Sequence, residues 1–374
     1  MFDSYNSKDS DSVEDKDKTY ECAYIDFDTV LYRSAKSLQE DYIIVKHKVS
    51  GRTKEFSGVQ KFYGRTKARD GGWIGEQNAK RSQQGKPLIS ADDYEIITAS
   101  RLKESPEPNL TILEYGLKQI DWKVGTIKRI CDANDYKLGI GGTKPNFRFD
   151  AAHIQPYKGQ RKEKPILFLE LREAFITKYK NKVFIARDGM EMDDEISILG
   201  WESYTHYKKT GKHKYVIGFV DKDLKMTPCP HFNYDKPDDG VTIPDVFECA
   251  RSFAAQCLSG DNTDNIAGLP NLHPDFCIKY GLPKPRGVGK TTALSILESC
   301  QTIKEMYERV VEAYRTFYGE DEFEFTSHRG EVSKRTWLDM LQENAILVYM
   351  CRSEKEVGKF DIRNTLDRLG VNYK

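Results

Sequence analysis

The residues of this chain with most chemistry to offer are its carboxylates, because of where they fall. Asp26 and Asp28 close the apolar run that begins at Cys22, and Asp221-Lys222-Asp223 follows Tyr215–Val220. The run Lys182–Ala186 is followed by Arg187-Asp188-Gly189-Met190 and then by Glu191-Met192-Asp193-Asp194. Each short apolar run reads as a buried strand ending in an acidic turn. In an open parallel sheet the carboxyl ends of the strands share one edge, and ligands bind along it. A fourth group, Asp261 and Asp264, lies in Gly260-Asp261-Asn262-Thr263-Asp264-Asn265. At a spacing of three the two would share a helix face, whereas Asp221 and Asp223, two apart in an extended stretch, point to one side. Gathering so many carboxylates costs free energy unless cations sit among them. Oxygen-only donors suit Mg²⁺ or Mn²⁺ rather than zinc. Two such ions, roughly 3.5–4 Å apart, can stabilise the attacking and leaving oxygens of phosphodiester hydrolysis. One acidic turn alone reads as solvated surface; three at successive strand ends do not.

The secondary structure around these groups alternates in type. A strand at Cys22–Val30 runs into a helical stretch, and Asp41–Phe56 has the alternation of a hairpin turning at Ser50-Gly51. A helix is expected over about 111–133, strands at 136–140, 182–186 and 215–220, and helices at 165–180 and 193–207. This alternation predicts an α/β fold, a mostly parallel twisted sheet with helices on both faces. Beyond about 250 the chain becomes mainly helical. Residues 57–110, polar and rich in Gly, Lys, Arg and Ser, read as an insertion or mobile region. Trp122 and its apolar neighbours at helical spacing read as core. The domain expectation is a disordered tail over 1–20, an α/β core over 21–250 with an insertion at about 41–120, and a helical domain over 251–374.

Composition bounds the rest. Lys+Arg and Asp+Glu are both 58 in 374 residues, so the formal charge is zero. That does not exclude nucleic acid, since local patches govern binding and an acidic site can cancel a basic face. The eight cysteines are scattered with no C-x-x-C pair, which points to free thiols in a reducing cytoplasm. No apolar run approaches the ~18 residues of a membrane span, and Met1–Lys18 lacks the apolar segment of a signal peptide.

In this setting several segments become recognisable. The strand with Asp26, followed by Leu31-Tyr32-Arg33, resembles the first motif of 5′-nucleases, the flap endonucleases and 5′–3′ exonucleases. Pro156-Tyr157-Lys158-Gly159-Gln160-Arg161 looks like their Y-K-x-N/Q-R element, and Met190–Asp194 is similar to their E-x-D-D motif. Asp221-Lys222-Asp223-Leu224 resembles D-K-D-L, and Gly260–Gly268 resembles G-D-x-x-D-N-I-x-G. Gly287-Val288-Gly289-Lys290-Thr291-Thr292-Ala293 is similar to the glycine turn of their helix–hairpin–helix-like DNA clamp. The elements occur in family order over roughly 21–300, and Asn146-Phe147-Arg148 gives the best likeness to phage-type members.

The resemblance implies a magnesium-dependent nuclease (or one using Mn²⁺) with two ions per site, cutting DNA to leave 5′-phosphates. It implies Asp26, Glu191, Asp193, Asp194, Asp221, Asp223, Asp261 and Asp264 as metal ligands, direct or through water. It places Lys158 and Arg161 at the scissile phosphate, Tyr157 stacked on a base, and Arg33 at a phosphate. Arg148, Gly287, Gly289, Lys290 and Thr291 are expected at the DNA. The partner is DNA with 5′ ends, flaps or nicks, bound by a monomer in the cytoplasm and away from membranes. A ribonuclease acting on primers or RNA–DNA hybrids and a non-catalytic DNA-binding relative are the alternatives.

Two departures stand out. The family's aspartate after its second strand falls near Thr143 here, so one ligand is lost or is supplied by Asp150 or Asp28. About sixteen residues, Pro270–Pro285, separate the D-N-I-x-G element from the glycine turn, a longer stretch than is usual in the family. Gly287–Thr291 is not a P-loop, since Lys284 stands where the motif needs its first glycine. His206 and His213 read as members of a solvated loop rather than a metal pair.

Overall fold

The computed structural model describes residues 18–161, 163–220, 222–283 and 287–374. In chain order the strands are β1 (Tyr20–Asp26), β2 (Gln39–His47), β3 (Thr53–Phe56), β4 (Tyr94–Leu102), β5 (Ala133–Ile140), β6 (Val183–Ile185), β7 (Tyr215–Phe219), β8 (His231–Asn233), β9 (Val241–Thr242), β10 (Phe323–Thr326) and β11 (Val332–Arg335). The helices are α1 (Asp28–Ser37), α2 (Val59–Tyr63), α3 (Gly72–Gln83), α4 (Ile112–Ile130), α5 (Arg148–Ala151), α6 (Phe168–Lys178), α7 (Met192–Thr210), α8 (Val246–Ser259), α9 (Pro274–Lys279), α10 (Lys290–Leu297), α11 (Ile303–Tyr318), α12 (Trp337–Val348) and α13 (Ile362–Leu369). They divide into two compact units. One holds the chain up to Asp28 with Gly125–Lys162 and Asn181–Lys374; the other holds Thr29–Val124 with Glu163–Lys180.

The first unit is built on a six-stranded sheet of order β6-β5-β1-β7-β8-β9. Every pairing is parallel except that of β9 with β8. A parallel strand buried on both faces must be apolar throughout. All five residues of β7 are buried, as are Ala23 and Ile25 of β1. The chain builds leftward from β1 through β5 to β6, then returns to place β7 on the other side of β1. That reversal opens a crevice at the carboxyl ends of β1 and β7. Met192 and Ile196 of α7 pack with Ile217, Phe219 and Leu224 beneath it. The remainder of this unit is a helical core from α8, α10, α11, α12 and α13, whose central side chains include Phe253, Leu297, Val310, Tyr314 and Leu341. Three of these helices begin with reciprocal capping pairs, Asp245/Glu248, Thr302/Glu305 and Thr336/Asp339, which satisfy the otherwise orphaned first-turn donors.

The second unit carries an antiparallel sheet of order β3-β2-β4. The hairpin expected over 41–56 is its β2–β3 pair. The expectation of a mobile stretch over 57–110 is corrected. Those residues fold as α2, α3 and the nine-residue strand β4, which pairs with β2 along its whole length. Ile43 and Val45 of β2 face Phe62 and Ile74 of the helices in a small core of its own. A second correction concerns Trp122, which is 68% exposed. The buried positions of α4 are Ile120, Val124 and Ile127, and Trp122 lies on the opposite face by helical geometry.

Among the described residues no helix is long and apolar enough to cross a membrane. All eight cysteines are buried, and none is paired in a disulfide.

Candidate active site

The site lies in the first unit, at the carboxyl edge of its sheet. Asp26 ends β1 and is 5% exposed. Its Oδ1 accepts the Asp28 amide at 3.2 Å. Asp28 in turn reaches the end of β5, where its Oδ2 accepts the Gly141 amide at 2.8 Å. It therefore stands at the strand end where the family pattern leads one to expect an aspartate and this chain has Gly141-Gly142-Thr143. Asp150 sits exposed on α5.

Beyond β6, Glu191 caps α7 in a capping box with Asp194, whose Oδ2 accepts the Glu191 amide at 3.2 Å. Carboxylates here gain from the helix dipole and from first-turn amides. The two then diverge. Asp194 is fully buried and held by both terminal nitrogens of Arg148, at 2.7 and 2.9 Å. Arg148 is also fully buried, donating to the carbonyls of Leu347 at 2.9 Å and Tyr349 at 2.6 Å. Burial alone would raise the Asp194 carboxyl, but the Arg148 guanidinium outweighs it and holds the group below its usual range. Arg148, expected at the DNA, is instead turned inward: its guanidinium faces Asp194, two carbonyls of the C-terminal region and, at 3.5 Å, Glu191 Oε2.

Glu191 meets Arg148 only at 3.5 Å, through its Oε2, and otherwise faces a different set. Its carboxylate accepts from the Lys158 ammonium, and the Tyr157 hydroxyl lies 2.7 Å from its Oε2. The same hydroxyl is 2.9 Å from Asp264 Oδ2. Lys158 approaches Asp264 at 3.7 Å, and Arg161 donates to its other oxygen at 2.9 Å. Burial works to raise Asp264, and Lys158 and Arg161 together hold it low. Tyr157 is 4% exposed and closed in by Phe149 edge-on at 5.4 Å. Expected as a base-stacking ring, it serves in this structure as a bridge between two carboxylates.

Asp264 and Asp261 belong to one tight loop, closed by amide–carbonyl bonds between Asp261 and Ile266 at 3.0 and 2.7 Å. The two aspartates face different partners. Asp261 accepts from Lys222 at 2.6 Å, and Lys222 lies 3.6 Å from Asp223. Gln256 of α8 donates to Asp223 at 2.5 Å. One loop therefore links the strand-end group at β7 to the Tyr157–Lys158–Arg161 element and to Glu191. Asp193 opens α7 beside Glu191. Asp221 lies outside the described residues.

The other expected residues are placed as follows. Arg33 is exposed on α1, in the second unit. Gly289, Lys290 and Thr291 are exposed where α10 begins, and Gly287 is half-buried. His213 stacks on Tyr207 at 4.5 Å. Sequence reasoning missed Gln256 and Lys222. The second sits inside the D-K-D-L element, and its spacing between two aspartates was the available signal.

For a divalent ion the donor chemistry fits, since every candidate ligand offers carboxylate oxygen. Among the described residues no three His, Cys, Asp or Glu side chains gather around one point. Lys158 and Lys222 lie between the carboxylates that would have to converge.

No family model and no curated protein matches the chain. Solved structures do. The chain is similar to the bacteriophage T5 5′-exonuclease with bound zinc, at 15% identity over 65% of this chain and 82% of that one, with a TM-score of 0.37. It is similar to the bacteriophage T5 D15 protein co-crystallised with metal ions, at 16% identity over 55% of this chain and 84% of that one, with a TM-score of 0.33. A flap endonuclease of the same phage, in a complex with DNA and metal ions, matches at 17% identity over 54% and 81% of the two chains, with a TM-score of 0.31.

Proposed function

We propose that the chain is a metal-dependent 5′-nuclease that hydrolyses DNA phosphodiesters and leaves 5′-phosphates. The observation that carries this reading is the linked network at the sheet edge. Within it, Lys158 and Arg161 are brought onto Glu191 and Asp264, while Asp223 and Asp261 share Lys222. Cations drawn onto surplus carboxylates at a strand-order reversal make a site for an anionic substrate with its counterions.

In this reading Glu191, Asp193, Asp223, Asp261, Asp264 and Asp26 hold the metal, with Asp221 contributing from the same segment as Asp223. Asp194 stays with Arg148 and anchors the start of α7. A bound Mg²⁺ or Mn²⁺ supplies a lowered pKa for water and neutralises charge on the phosphate. The chain's own cations do the positioning. Lys158 and Arg161 exchange carboxylate partners for the non-bridging phosphate oxygens, where charge grows as the bond breaks. Tyr157 keeps Glu191 and Asp264 at a fixed separation while this happens.

The test is digestion of a 5′-labelled flap duplex with Mg²⁺, with EDTA, and with Glu191→Gln or Asp193→Asn. Short labelled products that require both metal and carboxylates are expected. Tight binding with no cleavage in Mg²⁺ and Mn²⁺ alike would move the chain to the class of non-catalytic DNA-binding proteins.

A further inference from the structure

Along the chain the charge is unevenly spread. Residues 46–91 contain eleven Lys and Arg against three Asp and Glu, in a chain whose total is zero. They form the β2–β3 arm, α2, α3 and the loops between them, within the second unit. The arm carries Lys46, Lys48, Arg52 and Lys54 with no acid between them, and its tip presents Val49 at 92% exposure. The loop from α2 to α3 adds Arg65, Lys67 and Arg69, of which Arg69 is paired with Asp92 at 2.7 Å. The few acids are largely occupied. Glu55 pairs with Arg101 at 3.1 Å, and Asp70 accepts from Thr66 at 2.8 Å. Lys48, Arg52, Lys61, Lys67, Lys80 and Lys86 are all exposed, and none of them makes an ion pair among the described residues.

A structural account covers only part of this. Lysine on an edge strand discourages pairing with other sheets, which explains Lys54 and Arg52 on and beside β3. It does not explain the cations of α2, α3 and their connecting loop. Unneutralised like charges repel and weaken a small module, so their accumulation marks a partner of dense negative charge. The same surface offers half-buried rings beside cations: Arg69 lies 4.7 Å from the Tyr63 centroid and Lys54 5.1 Å from that of Trp73. The rings themselves pack against the small core of this unit, so the exposed cations carry the recognition, and a row of phosphates suits them with little dependence on sequence.

We infer that residues 46–91 form a second, non-catalytic surface that grips the phosphate backbone of DNA. The choice of DNA rests on the nuclease reading above; the charge and ring arrangement does not. The test uses the full-length protein and a fluorescent DNA duplex in EDTA, titrated across a salt series. The variant Lys48→Glu/Arg52→Glu/Arg65→Glu/Lys67→Glu should bind at least about tenfold more weakly. Its slope of log K against log salt should be shallower by roughly two to four, at about 0.9 per lost phosphate contact. The matching four-fold Gln variant should move the same way by less, and it carries the test if the Glu variant unfolds. In Mg²⁺ the Gln variant should raise KM and leave kcat unchanged. Wild-type affinity and slope in both variants overturn the inference. A wild-type protein that binds but never cuts, with both variants weakened, supports the surface while removing the nuclease reading.

Discussion

Arg148 and Asp194 face each other with no exposure to solvent, and each is what makes the other tolerable. A buried ion pair adds little over apolar packing, but removing one partner strands a charge, at a cost of about 3–5 kcal/mol. Asp194→Asn and Arg148→Met should each lose that much in urea unfolding, and Arg148→Met with Asp194→Leu should recover most of it. An unchanged stability in the single variants would show that the pair is not the anchor described. Glu191→Gln, three residues away, should behave in the opposite sense, with small loss of stability and loss of cleavage. Lys158 holds a left-handed backbone at φ 55 and donates to Glu191. Lys158→Ala should lower kcat by roughly two orders of magnitude, the scale of one charge-stabilising donor, read by single-turnover cleavage. At this scale the sequence was legible in composition but not in burial. Asn146-Phe147-Arg148 marked an arginine near the site without saying that its donors would face Asp194 and two carbonyls about two hundred residues later. E-x-D-D gave three acids, and only long-range packing separates the one turned inward from the others.

The loop that carries Asp261 and Asp264 is an element in its own right, and two glycines make it possible. Gly260 and Gly268 have φ of 61° and 66°, and they cross. A Cβ on Gly268 would lie 2.4 Å from the Gly260 nitrogen, and one on Gly260 would lie 2.2 Å from the Ile266 carbonyl oxygen. Neither contact is with a side chain that could turn aside. Gly268→Ala should therefore cost more than the about 1–3 kcal/mol of left-handed strain alone, and it should depress cleavage by displacing both aspartates. A melt and a cleavage assay on the same preparation check this, and wild-type values in both would contradict the role given to the loop. The D-N-I-x-G pattern made this turn legible because its requirement is local. The second unit was less so. Gly- and Lys-rich composition over 57–110 signalled loop, while the alternation in Tyr94–Leu102 is half exposed on both faces, with Ile97 43% exposed. What fixes β4 is pairing with β2, fifty residues earlier, and no window of local sequence contains it.

Across the whole first unit, the parallel sheet could be read because buried parallel strands are short, continuous apolar runs. Strand order could not, since it is set by which neighbours meet. One consequence of that order concerns His231. It lies in β8, between β7 and β9, and is 8% exposed. Its Nδ1 is 3.3 Å from the Cys229 carbonyl and its Nε2 is 2.9 Å from the Thr242 hydroxyl. A neutral ring with its proton on Nδ1 satisfies both, donating to the carbonyl and accepting from the hydroxyl. Burial pushes the ring's pKa from 6.5 down to about 4. The unfolded chain therefore takes up a proton below about 6.5 that the folded chain refuses until about 4. Stability is complete above the first value, declines as pH falls between the two, and loses nothing further from this group below the second. The gap corresponds to about 3 kcal/mol. Urea unfolding of the wild type and of His231→Gln at about pH 7 and about pH 4.5 isolates this contribution, because every other titration is common to both proteins. The wild type should lose about 2–3 kcal/mol more than the variant over that interval. Parallel declines would mean that the ring takes up its proton inside the folded sheet, and that the β8–β9 edge opens to admit water before the rest of the unit unfolds.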